Sequence, residues 1–244
     1  MNGMLAIYLR EMLILRKRFL RQLASMSVSP LLYLVAFGFG MGRGLTVGSR
    51  SYLEFLIPGL VAMNSMIQAF AIGSEINIAR FYWHIFEEFQ AAPITNISYV
   101  AGEVVAGVTR ALFSVVLIIA IAALSGVTLS YNLYFWIAVL LNSFVFASLA
   151  VGLAMLVKSH SDQALLSNFF ITPMAFLGGT FFPIAQMPPW AQRILFFLPL
   201  THASKAIRAA AFGERPQLLS FLVLATLGVA LFIFAFLSVR RSME

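Results

Sequence analysis

Hydrophobic residues in this chain gather into long uncharged runs, with the polar residues collected between them. Ser25 to Gly42 carries no charge, and neither does Phe55 to Ser74. Ala111 to Val157 is also free of charge. As one helix that last run would extend about 70 Å, more than twice a ~30 Å hydrocarbon core, so it must fold back. Ser125-Gly126 and Ser130-Tyr131-Asn132 supply the turn. The pattern predicts six membrane-spanning helices, at about 25–42, 54–75, 99–124, 133–157, 164–182 and 218–239. The fold class is an all-α polytopic membrane protein, with one domain over residues 1–244.

Three stretches break this pattern. Residues 4–22 read as an N-terminal amphipathic helix, with Leu5, Tyr8, Met12, Leu15 and Phe19 on one face. Arg10, Lys17 and Arg21 fall opposite, which suits a helix lying in the interface with its basic face toward anionic headgroups. Between the second and third spans, Ile78 to Pro93 predicts a second amphipathic helix. Ile78, Tyr82, Ile85, Phe86 and Phe89 share one side; Arg80, His84 and Glu87 share the other. Pro93 ends it, because its ring removes a donor and clashes with the preceding turn. Such a helix either receives force from outside the bilayer or rests on headgroups. The third interruption follows the fifth span and holds Pro183, Pro188, Pro189 and Pro199. It is too broken to span and too apolar for a solvated loop, so a re-entrant hairpin on the outer side is expected. Gly178, Gly179, Phe181, Phe182, Pro183, Pro188 and Trp190 would form a gate there. The aromatics could stack on sugars, but packing or an interfacial belt explains them more simply.

Charge at membrane depth is confined to Glu103 and Arg110 in the third span. Seven residues separate them, about 10 Å along the axis, too far for a direct ion pair. Partners across a helix interface are expected, with Glu103 snorkelling at the cytoplasmic end; Gly102, Ala106 and Gly107 would let a neighbour approach.

Composition narrows the function. The chain is 61% hydrophobic and 10% charged, against roughly 25% charged in soluble domains. Its net charge of +7 fits the positive-inside bias rather than nucleic-acid binding. With both termini cytoplasmic, Arg10, Arg16, Lys17, Arg18, Arg21, Arg80, Lys158, Arg240 and Arg241 lie inside. Arg43, Arg50, Arg193, Lys205, Arg208 and Arg215 lie outside, so the bias has the right sign. There is no cysteine, one aspartate (Asp162), and three separated histidines, so no catalytic or metal site is expected. No GxxxxGK[ST] occurs, which excludes ATP binding by a P-loop in this chain.

Two motifs carry a resemblance. EEFQAAPITNISYVAGEVVAGVTRALF (87–113) resembles the stretch after span two in type-2 ABC exporter permeases, where E-E-L-x-x-A-P-[IV] leads into span three. ITPMAFLGGTFFPIAQMPPWAQRILFFLPLTHASKAIRAAAFG (171–213) resembles that family's C-terminal signature of a glycine pair, F-[FY]-P, M-P-P-W, N-P-L-T and an arginine. PGLVAMNS (58–65) fits as well. Leu198 stands where the family often has Asn. The resemblance covers nearly the whole chain and is strongest to the small nodulation-factor and multidrug export type.

The resemblance implies the six-helix exporter fold and a homodimer in the bacterial inner membrane. It implies two copies of a separate P-loop ATPase, which would bind ATP-Mg. Ile78 to Ala92 would be the coupling helix, with Arg80, Tyr82, Phe86, Glu87, Glu88, Phe89 and Pro93 contacting that partner. The cargo would be an amphipathic or lipid-linked molecule, or a drug, moved out of the cytoplasm or inner leaflet. Alternatives are an ion-coupled secondary transporter or channel, which needs more midplane charge, and a membrane-embedded transferase, which needs clustered carboxylates.

Overall fold

The computed structural model describes residues 2–83, 85 and 92–243. Helix α1 (Asn2–Lys17) lies against α5 (Asn96–Leu124), seated on Ile7 and Leu15. Gly102 of α5 allows the approach, since a Cβ there would meet the Cβ of Ile7 at 2.9 Å. The apolar face is therefore rotated from the expected one. Leu15 is buried and Tyr8 and Met12 are half-buried, but Leu5 and Phe19 are exposed. Glu11, rather than another apolar residue, completes the buried stripe, because it meets a cation of its own helix.

Arg18 leaves helical geometry, and α2 (Phe19–Tyr33) starts a span that its π-helical end carries to Met41. A two-stranded hairpin, β1 (Thr46–Val47) and β2 (Arg50–Ser51), returns the chain. Ser51 and Glu54 then form a capping box at the start of α3 (Tyr52–Phe70). Helix α3 is buried along most of its length and is the central post of the bundle. It continues, after a break at Ala71, into α4 (Ile72–Phe81).

Helices α3 and α4 together make a second span longer than expected, running through Glu75 and Arg80 to Phe81. Ile78 to Phe81 thus closes this span rather than opening a separate helix. Of the proposed coupling segment, His84, Phe86, Glu87, Glu88 and Phe89 lie outside the described residues. Pro93 sits in a turn, and Thr95 caps α5 by accepting from the Ser98 N–H.

The long uncharged run folds back as expected, with Gly126 (φ +74°) in the turn. Asn132 caps α6 (Leu133–Leu156) through the Phe135 N–H. Buried amides join the three central helices. Asn64 of α3 donates to Ser114 of α5, and Asn142 of α6 donates to the Ala62 carbonyl and the Ser65 hydroxyl. Polar links of this kind set register between apolar helices.

The expected fifth span is broken. Helix α7 (His160–Leu166) passes through a π turn at Ser167–Ile171 into α8 (Thr172–Leu177), where Gly178 ends it. Five helices among the described residues are long and apolar enough to cross a membrane: Phe19–Met41, Tyr52–Phe81, Asn96–Leu124, Leu133–Leu156 and Leu218–Ser242. The 160–177 segment is not one of them, because it begins on the polar HSDQ and contains Pro173. Beyond it, α9 (Pro189–Phe196) and α10 (Pro199–Ala211) each start on a proline, the position where a missing N–H costs nothing. Helix α11 (Leu218–Met243) packs along α6 and closes the bundle.

Candidate transport and coupling sites

The glycine-pair segment between α8 and α9 is held by its carbonyls. Ser204 of α10 donates to the Gly178 carbonyl at 2.6 Å, and Arg208 Nη2 donates to the Gly179 carbonyl at 2.8 Å. Tyr52, at the start of α3, donates to the Phe181 carbonyl at 2.8 Å. Arg208 Nε also reaches the Phe55 carbonyl at 3.3 Å, and its guanidinium lies 3.8 Å from the Phe55 ring centroid. Gly179 is left-handed (φ +83°), and a Cβ there would meet Ile184 at 2.8 Å. Non-helical backbone at this depth is tolerated because its acceptors are filled by protein.

The gate candidates divide. Phe181 is buried, its ring packed on Tyr33, Phe37 and Phe176 with centroids 4.8–5.3 Å apart. Phe182 and Pro183 are half-buried, and Gly178 packs on Leu200. Pro188 and Trp190 are exposed and stand apart from this cluster. Burial holds the His202 imidazole of α10 below its ordinary pKa. Neutral at pH 7, it donates through Nε2 to the Phe196 carbonyl at 2.9 Å. Helices α2, α3, α4 and α8 leave a cleft of about 240 Å³ lined by apolar side chains with Ser74, Ser167 and Thr172.

At the other end of the bundle, charges converge. Arg10 pairs with Glu11 on its own helix, and its Nη2 lies 3.9 Å from Glu103 of α5. Burial acts to lower the Arg10 pKa, but the Glu103 and Glu11 carboxylates bring it above the ordinary arginine value. Arg110, one face further along α5, pairs with Glu75 of α4 at 3.3 Å. Glu103 and Arg110 therefore take partners across helix interfaces, as their separation requires. Glu103 does not snorkel, however: it is fully buried, because α1 lies over it. Neither of its oxygens accepts a hydrogen bond among the described residues. Lys17 and Arg21 are exposed, whereas Arg10 turns inward.

Arg80, at the foot of α4, donates through Nη1 to the Ala154 and Met155 carbonyls at 2.8 and 3.1 Å. It thereby ties the end of the second span to the end of α6. Tyr82 just beyond is exposed. Asn77 adds a second link, donating to Gln163 of α7 at 3.2 Å.

Tyr52, Glu11, Glu75 and Ser204 are the residues that sequence reasoning missed as participants. Glu11 sits in the N-terminal interface helix and Glu75 at the edge of the expected second span, where a carboxylate reads as solvated. Arg208 carried a stronger signal, a cation within an apolar stretch.

Residues 4–212 match the family described as ABC-2 type transporter. The chain is 28% identical over 236 residues to the inner membrane transport permease YadH of Escherichia coli (strain K12), covering 92% of this chain and 91% of that protein. It is 31% identical over 216 residues to nodulation protein J of Neorhizobium galegae, covering 86% and 81%. Over 219 residues it is 31% identical to nodulation protein J of Rhizobium leguminosarum bv. viciae, covering 86% and 82%. With the family match running from α1 through the glycine-pair cap to the end of α10, this chain belongs to the ABC-2 type transporter family.

Proposed function

We propose that this membrane permease subunit forms the export pathway of an ATP-driven transporter as a homodimer, with two copies of a separate P-loop ATPase. The cleft between α2, α3, α4 and α8 is the observation that carries the reading. It is apolar with a few hydroxyls, which suits an amphipathic or lipid-linked cargo. In this arrangement residues 164–182 complete a sixth crossing. Residues 183–215 form the re-entrant outer hairpin, and both termini are cytoplasmic.

Residues 78–92 would dock on the ATPase. Phe86 and Phe89 would be the buried anchors, and Glu87 and Glu88 would steer the encounter. Arg80 would pass the displacement to α6 through the Ala154 and Met155 carbonyls. Affinity purification from native membranes is expected to bring down a P-loop ATPase. A Leu177→Cys variant should give a disulfide-linked dimer in lipid. Recovery of the chain alone and as an uncrosslinked monomer would sink the reading.

A further inference from the structure

The C-terminal ends of α4, α6 and α11 enclose a recess of about 510 Å³. Arg80, Lys158 and Arg241 line it together with the hydroxyls of Ser238 and Ser242, and among the described residues no acidic side chain does. Helix C-termini favour cations for structural reasons alone. Arg80 fills that role, with Nη1 on the Ala154 and Met155 carbonyls. Lys158 and Arg241 do not. Both are exposed and make no ion pair among the described residues. The neighbouring carboxylate, Asp162, accepts from the Lys158 backbone N–H instead of meeting either side chain.

A groove of about 480 Å³ continues from the recess, sharing Leu156, Val157 and Lys158 with it. It runs along α7 between Leu165, Phe169 and Phe170. Phe169 and Phe170 are 72% and 64% exposed, large apolar surfaces beside fixed positive charge. They lie two to three turns into the helix from Lys158, at the level of acyl chains rather than of water.

We propose that the recess binds the phosphate headgroup of an anionic membrane lipid, with one acyl chain in the Leu165–Phe170 groove. Lys158 supplies a point charge, and Arg241 supplies a planar fork that pairs with two phosphate oxygens. A bound lipid would bridge the feet of three helices where Arg80 already joins two. A soluble protein partner could meet the cations but not the groove, and inorganic phosphate could fill the recess but not the groove.

Native mass spectrometry of the detergent-solubilised chain, titrated with phosphatidylglycerol or phosphatidylcholine, tests the site. The wild type should retain phosphatidylglycerol in preference. The double variant Lys158→Gln/Arg241→Gln should weaken that retention about thirtyfold, near fivefold for each cation removed, and lose the preference. Phe169→Ala/Phe170→Ala should weaken phosphatidylglycerol while leaving binding of inorganic phosphate unchanged. Equal retention in the charge variant would overturn the site. So would displacement of the lipid by inorganic phosphate together with indifference to the Phe changes, which would mark a free-phosphate site. Loss of ATPase copurification in the charge variant with lipid retention intact would show a protein-docking face instead.

Discussion

The two ends of the bundle are fastened in different ways. At the end that the proposed orientation puts outside, the Ser204, Arg208 and Tyr52 side chains donate to the backbone carbonyls of Gly178, Gly179 and Phe181. At the end it puts inside, Arg10, Arg110, Glu11, Glu75 and Glu103 gather as charges. A side chain bonded to a carbonyl in a left-handed glycine turn has one geometry in which it fits. A cluster of mixed charges has several pairings of similar energy, and among the described residues neither Glu103 oxygen accepts a hydrogen bond. The first end is held in one shape, whereas the second is specified less tightly. That difference suits the proposed drive from an ATPase on the inside, and the following substitutions break or sharpen it.

The largest effect is expected at Arg208→Ala, which removes the donor to the Gly179 and Phe55 carbonyls and uncovers the Phe55 ring, costing about 3 kcal/mol. Thermal unfolding in detergent should show it, and Arg208→Lys should recover less than half, lacking the fork. A loss too small to resolve would mean that the outer end is no lock.

Gly179→Leu comes next. The left-handed backbone and the contact with Ile184 together cost about 2 kcal/mol, and the crowding should stop export while ATPase binding persists. Export at the wild-type rate would reduce the hairpin to a structural cap.

Phe89→Ala probes the drive itself, in a segment outside the described residues. As an interface anchor its loss should weaken the ATPase complex by at least about 1 kcal/mol and lower substrate-stimulated hydrolysis. Reversing Glu87 and Glu88 to lysine should slow assembly and make it salt-sensitive. If both variants assemble and export normally, the helix only floats on headgroups.

The smallest change in stability is expected at Glu103→Gln. Removing a fully buried charge that accepts no hydrogen bond should shift stability by less than about 1 kcal/mol, in either direction. Export rate should respond more than the unfolding midpoint does. A drop on the scale of Arg208→Ala would show the inner end to be as rigidly specified as the outer.

Much of the architecture was present in the residue order. Uncharged runs of span length must cross a bilayer, because unpaired backbone and charge are too costly there, and this alone located five crossings close to their observed bounds. Gly178-Gly179 and the prolines at 183, 188, 189 and 199 located the outer breaks, since each acts on its own local backbone. Tertiary structure decided the rest. Arg208 and Phe55 are 153 positions apart, and Arg110 and Glu75 are 35 apart. Helix α1 turned Glu11 and Arg10 inward only because α5 offered Glu103 and a glycine to pack on. The expected fifth span is too polar at its start, HSDQ, for the 160–177 helix to count among the five apolar ones. Local rules of length, helix breaking and hydrophobic period act within a few turns and can be read from order. The partner of a buried charge depends on which helices lie side by side, and no spacing along a single helix records that.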